Sequence, residues 1–107
     1  MKIYHLKSCD TCRKAIKALG HHDPELQDVR AEPIAEAILS RWLEIVGADM
    51  LVNRKSATWR GLSDADRARD PLHLLTTHPT LMKRPVIEDG GAVHVGWSAA
   101  TQAALGL

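Results

Sequence analysis

The first apolar positions, Ile3, Tyr4 and Leu6, form a short run that predicts a strand. Cys12, Ala15, Ile16 and Leu19 then recur at i, i+3, i+4 and i+7, which is one face of a helix. Lys14 and Lys17 suit the later turns of that helix, and Gly20 suits the C′ position that ends it. After the turn residues His21-His22-Asp23-Pro24, Leu26 to Val29 reads as a second strand. Pro33 suits the first position of a helix whose apolar stripe is Ile34, Ile38, Leu39, Trp42, Ile45 and Val46, closed by Gly47, with Trp42 in the core. Ala48 to Asn53 predicts a short helical or turn segment, followed by the polar run Arg54-Lys55-Ser56-Ala57-Thr58-Trp59-Arg60. Ser63 with Asp66 gives a capping-box-like start to a short helix, and Asp70-Pro71 supplies N-cap and N1 for another, Leu72 to about His78. Val86-Ile87, the turn Glu88-Asp89-Gly90-Gly91 and Ala92 to Val95 make a β-hairpin, and Ser98 caps a last helix. The predicted order is β-α-β, an all-helical middle, then β-β-α.

Composition narrows the function classes. The 107 residues suit one domain, 1–107, with a single modest core. A formal net charge of +1 gives no electrostatic case for nucleic acid, which calls for a strong basic excess or stripe. No apolar run is long enough to span a membrane, and the opening residues, interrupted by His5 and Lys7, lack a signal-peptide pattern. Two cysteines spaced as C-x-x-C fit a reducing compartment, so a cytoplasmic location is expected.

The chemistry centres on Cys9-Asp10-Thr11-Cys12. A cysteine just before a helix meets unpaired N–H groups and the positive end of the dipole, both of which favour a thiolate. Cys9 has that position. Cys12, one turn on, faces the same way and is placed to form a disulfide with it, although its place on the apolar stripe is equally explained by core packing. Further stabilisation of a Cys9 thiolate would come from Arg13 and Arg84, if the fold brings them to the loop, or from a protonated His5. His5 also reads as a half-buried strand residue. Zinc would need four ligands, and there is no second cysteine pair; only His5 and the His21-His22 pair are at hand to complete such a site, so no metal is expected.

Tyr4-His5 followed by Cys9-x-Thr11-x-Arg13 resembles the active-site loop of the arsenate reductase-like branch of the thioredoxin-like proteins. That branch holds glutaredoxin-coupled arsenate reductases, Spx regulators and YffB-type glutathione-dependent reductases. The resemblance continues through Leu51-Val52-Asn53, Thr58-Trp59-Arg60-Gly61-Leu62, Leu81-Met82-Lys83-Arg84-Pro85-Val86-Ile87 and Val95-Gly96-Trp97-Ser98, nearly the whole chain in order. It implies an α/β thioredoxin-like fold with a small mixed four-stranded sheet and an all-helical insertion between the second and third strands. It also supports the second strand at Leu26 to Val29 more strongly than the residue pattern does.

The resemblance implies roles as well. Cys9, Cys12 and His5 become the catalytic set, His5 because a histidine at the equivalent place tunes the cysteine of arsenate reductases. Thr11, Arg13, Lys55, Arg84 and Pro85 become substrate contacts, with Pro85 a candidate cis proline beside the active cysteine. Lys55 lies in a basic run that otherwise reads as solvated surface. Of the three arginines that surround the oxyanion in the reductases, only Arg84 has a match; the other places fall on Asn53 and Gly96. Losing two bidentate forks weakens arsenate recognition. The expected function is therefore a thiol–disulfide oxidoreductase acting on a small anionic or disulfide substrate. Glutathione or glutaredoxin is its expected redox partner, and no tightly held cofactor is expected. The alternatives are an arsenate reductase and an Spx-like redox switch binding RNA polymerase. Against the switch, the chain stops at Leu107 without the long polar extension that such regulators carry.

Overall fold

A computed structural model describes residues Met1–Leu107 and has the predicted order of elements. These are β1 (Lys2–His5), α1 (Asp10–Ala18), β2 (Glu25–Asp28), α2 (Glu36–Val46), α3 (Ala48–Leu51), α4 (Ala57–Arg60), α5 (Asp64–Arg67), α6 (Pro71–Thr77), β3 (Val86–Asp89), β4 (Ala92–Val95) and α7 (Ala99–Ala104). The chain forms two units, one of Met1–Val29 with Arg84–Leu107, the other of Arg30–Lys83.

The first unit is built on a mixed four-stranded sheet in the order β2-β1-β3-β4. β1 runs parallel to β2, with Ile3 opposite Leu26, and antiparallel to β3, with Ile3 opposite Ile87. A strand buried on both faces shows a continuous buried run and not an alternating one. Ile3, Tyr4 and His5 accordingly form an unbroken buried run. Ile3, Leu19, Ile87 and Leu105 form an apolar cluster, with Ile16 and Trp97 packed against it. Emptying such a position, as in Ile87→Ala, costs about 2–5 kcal/mol. The hairpin turns on Gly90 and Gly91, whose φ of 56° and 90° lie where glycine carries no Cβ penalty. Ser98 caps α7 as expected, its Oγ accepting from the Thr101 N–H at 3.2 Å.

The second unit is all-helical. Its buried apolar residues include Leu39, Trp42, Leu51, Val52, Leu74, Leu75, Leu81 and Met82. α2 packs against α3 and α6. Ser63 accepts from the Asp66 N–H at 3.1 Å, so the serine half of the expected capping box is present.

Several sequence expectations change. Pro33 is not the first residue of a helix: α2 begins at Glu36 after an Ala35 N-cap, and Pro33 and Ile34 instead line an apolar cleft with Leu39, Leu75, Pro79 and Met82. Ile45, expected on the buried stripe, is 52% exposed. Gly20 follows α1 but is not left-handed; the chain continues as a 3-10 turn, Gly20–His22, and the left-handed residue is Asp23 with φ 49°. α4 lies inside the polar run expected to be a loop, capped by Ser56, whose Oγ accepts from the Trp59 N–H at 3.1 Å.

Candidate active site

Leu6 ends the apolar run and Lys7-Ser8 turn the chain, with the Cys9 N–H closing the turn on the Leu6 carbonyl at 3.0 Å. Cys9 is the N-cap of α1, in extended backbone conformation, and its sulfur accepts from the Cys12 N–H at 3.4 Å. One of the orphan donors of a helix start is thus satisfied by sulfur where serine or aspartate oxygen is usual. Asp10, the first helical residue, adds an acidic group in the first turn.

The two thiols sit in opposite environments. Burial pushes the Cys9 thiol up, but hydrogen bonds from the Cys12 side chain and backbone, together with the charge and hydrogen bond of Arg84, outweigh it and hold Cys9 below its ordinary range. Cys9 is only partly covered, so a reagent can reach it. Cys12 is fully buried; burial, and then the hydrogen bond to Cys9 and its charge, push its thiol up to about 12. The pair is therefore biased towards a Cys9 thiolate facing a Cys12 thiol that donates to it. Both thiols are free.

Arg84 comes to the site through its chain position. It directly precedes Pro85, the Arg84–Pro85 bond is cis as the resemblance implies, and Pro85 is buried at the entry to β3. The Pro85 carbonyl accepts from the Gly96 N–H at 2.8 Å. Gly96 has φ 82°, so an arginine there would be strained whatever space surrounds it.

The other sequence candidates lie as follows. His5 ends β1, buried, with Asp28 beside it in the parallel register; the groups shifting Cys9 are Cys12 and Arg84. Thr11 is exposed on α1. Arg13 is exposed too, but its guanidinium pairs with Asp10 and donates to the Lys7 carbonyl at 3.1 Å. Lys55 belongs to the helical unit, exposed just before α4. Sequence reasoning missed Asp28, which accepts the Lys7 N–H at 3.1 Å; a strand-end aspartate offers no sequence signal for such a contact. No group of three or more His, Cys, Asp or Glu side chains is arranged to hold a metal, and no helix is long and apolar enough to cross a membrane.

Comparison with known proteins finds relatives over nearly the whole chain. The solved structure of a YffB protein superposes with a TM-score of 0.86 at 33% identity, covering 95% of each chain. A Haemophilus influenzae protein of uncharacterised function is 35% identical over 102 residues, 90% of this chain and 90% of its own. The global transcriptional regulator Spx of Bacillus subtilis is 26% identical over 103 residues, 90% of this chain and 79% of its own. The ArsC family model matches residues 4–105, a span that takes in the Cys9 turn, the helical unit and the Arg84–Pro85 corner, and the chain belongs to the ArsC family.

Proposed function

We propose that this protein is a thiol–disulfide oxidoreductase that uses glutathione as its co-substrate. The observation that carries the reading is the pairing of an accessible, N-capping Cys9 held below its ordinary pKa with a buried Cys12 held above its own. The Cys9 thiolate attacks one sulfur of a disulfide substrate; a new S–S bond forms, the old one breaks, and the departing thiolate leaves with the electron pair and takes up a proton. The product is a Cys9 mixed disulfide, with glutathione where the substrate is a glutathione adduct. Once Cys9 is neutral, the charge that helps raise the Cys12 pKa is gone, while burial still opposes its ionisation. Cys12 then loses its proton and attacks the Cys9 sulfur, forming the Cys9–Cys12 disulfide and expelling glutathione thiolate, and two glutathione molecules reduce that disulfide as oxidised glutathione leaves. Alternatively, a second glutathione attacks the bound glutathione sulfur and frees Cys9 as oxidised glutathione leaves. Arg84 stabilises the Cys9 thiolate before attack and each time it is released. His5 is proposed to tune Cys9, and Thr11 to contact the substrate.

A second reading is supported by the likeness to Spx and by the single-turn spacing of the two thiols: the Cys9–Cys12 disulfide is then a switch governing an RNA polymerase contact. Arsenate reduction is the weaker enzymatic alternative, since Asn53 and Gly96 occupy two of the arginine places.

Turnover of arsenate and of a cysteine–glutathione mixed disulfide, measured side by side with glutathione and glutaredoxin as reductants, separates these readings. The expected result is turnover of the mixed disulfide, abolished by Cys9→Ser, with Cys12→Ser accumulating a Cys9–glutathione adduct visible by intact mass. Efficient arsenate reduction would overturn the preference for a disulfide substrate. Reversible loss of two hydrogens on oxidation, with turnover of neither substrate, would favour the switch.

A further inference from the structure

The turn that carries Cys9 is held by more than its own hydrogen bond. Lys7 is its first corner, and both backbone polar groups of Lys7 are taken by charged side chains. The N–H donates to Asp28 Oδ2 at 3.1 Å, and the carbonyl accepts from Arg13 Nη1 at 3.1 Å. Arg13 is in turn paired with Asp10. Asp28 is the last residue of β2 and Arg13 lies in the first turn and a half of α1, so of the two peptide groups flanking the Lys7 Cα one is tied to a strand and the other to a helix. An exposed turn needs no such partners, because water would satisfy both groups.

We propose that Asp28 and Arg13 clamp the backbone on both sides of the Lys7 Cα and so fix the position of the Cys9 sulfur, which makes Arg13 a positioning residue and not a substrate ligand. The inference rests on the reading of Cys9 as the attacking thiolate. The chemistry of the pair follows from its parts. The planar guanidinium of Arg13 reaches the Lys7 carbonyl and the Asp10 carboxylate at once, which the point charge of a lysine cannot do. An asparagine at 28 keeps an acceptor for the Lys7 N–H but loses the charge, and an alanine loses both.

The test uses alkylation of Cys9 by iodoacetamide, a neutral reagent that a substrate-binding cation does not attract, followed across pH and read by peptide mass spectrometry. In parallel, KM and kcat are measured with the cysteine–glutathione mixed disulfide. Arg13→Gln and Asp28→Ala are each expected to slow alkylation about threefold to tenfold, the loss of one charge-assisted hydrogen bond at an exposed site. The double variant should be no slower than the worse single one, because either change opens the same clamp. Asp28→Asn should recover much of the rate, and kcat should fall more than KM rises. If Arg13→Gln leaves the alkylation rate unchanged and only raises KM, the clamp is wrong and Arg13 binds substrate. Losses that multiply in the double variant would also overturn it, since the two residues would then act independently. Should Asp28→Ala fail to fold, Arg13→Gln and Arg13→Lys carry the comparison, since a lysine cannot reach the Lys7 carbonyl and the Asp10 carboxylate at once. A free-thiol midpoint in the unmodified protein would overturn the Cys9 reading and this inference with it, whereas a low midpoint with an alkylation rate unchanged in Arg13→Gln and Asp28→Ala would overturn the inference alone.

Discussion

The two units use positive charge differently. In the sheet unit, one half-buried guanidinium, Arg84, is directed at a sulfur and shifts its ionisation. In the helical unit, the cations of the run after Asn53 mostly hold the run itself together. Arg54 pairs with Asp49 at 2.8 Å and lies 5.6 Å from the centre of the Trp59 ring. Arg67 lies 5.5 Å from that ring centre and donates to the Trp59 and Arg60 carbonyls, each at 3.2 Å. Arg60 donates to the Lys55 carbonyl at 3.1 Å. Each stacked cation contributes about 0.5–1 kcal/mol at an exposed site. A dense basic sequence is therefore a poor guide to where anion chemistry lies; the direction of the side chain and its burial decide.

If that contrast holds, Arg84→Ala has the largest effect. Loss of its charge and hydrogen bond should raise the Cys9 pKa and lower disulfide turnover roughly tenfold to a hundredfold, the worth of one charge-assisted contact. Arg84→Lys should recover only part, since lysine keeps the charge without the fork. Turnover equal to the unmodified protein in Arg84→Ala would erase the distinction between the units. Lys55→Ala tests the opposite side with a smaller effect. An exposed, flexible ammonium is a poor fixed ligand, so turnover should fall less than about threefold and the Cys9 pKa should stay in place. A loss as large as that of Arg84→Ala would return Lys55 to the substrate contacts expected from the sequence.

The same contrast explains what the sequence made legible. α1 and the hairpin could be read because their signals are local: a stripe from Cys12 to Leu19 in one case, and Gly90-Gly91 between apolar pairs in the other. Cys9 was legible because its place at a helix start is a local signal, although the Cys12 thiol and Arg84 also act on it. α4 was not, because a single turn, Ala57–Arg60, is too short to show a period. Pro33 was misread because a proline before an apolar stripe suits N1 equally well as an extended segment lining a cleft. Arg13 could be identified as a cation near the active loop, but not as one already engaged by Asp10 and the Lys7 carbonyl. Gly96 looked like a missing arginine, when its positive φ already restricts the position.

A lowered pKa keeps a thiol ionised to lower pH, so the ionisation of Cys9 can be followed as thiolate absorbance in the reduced protein, with Cys9→Ser as the blank. The account predicts one step with its midpoint below the free-thiol value of about 8.5, absent from Cys9→Ser, while Cys12 stays protonated until the pH nears about 12. A midpoint at or above that free-thiol value, or a low step that survives Cys9→Ser, would contradict it.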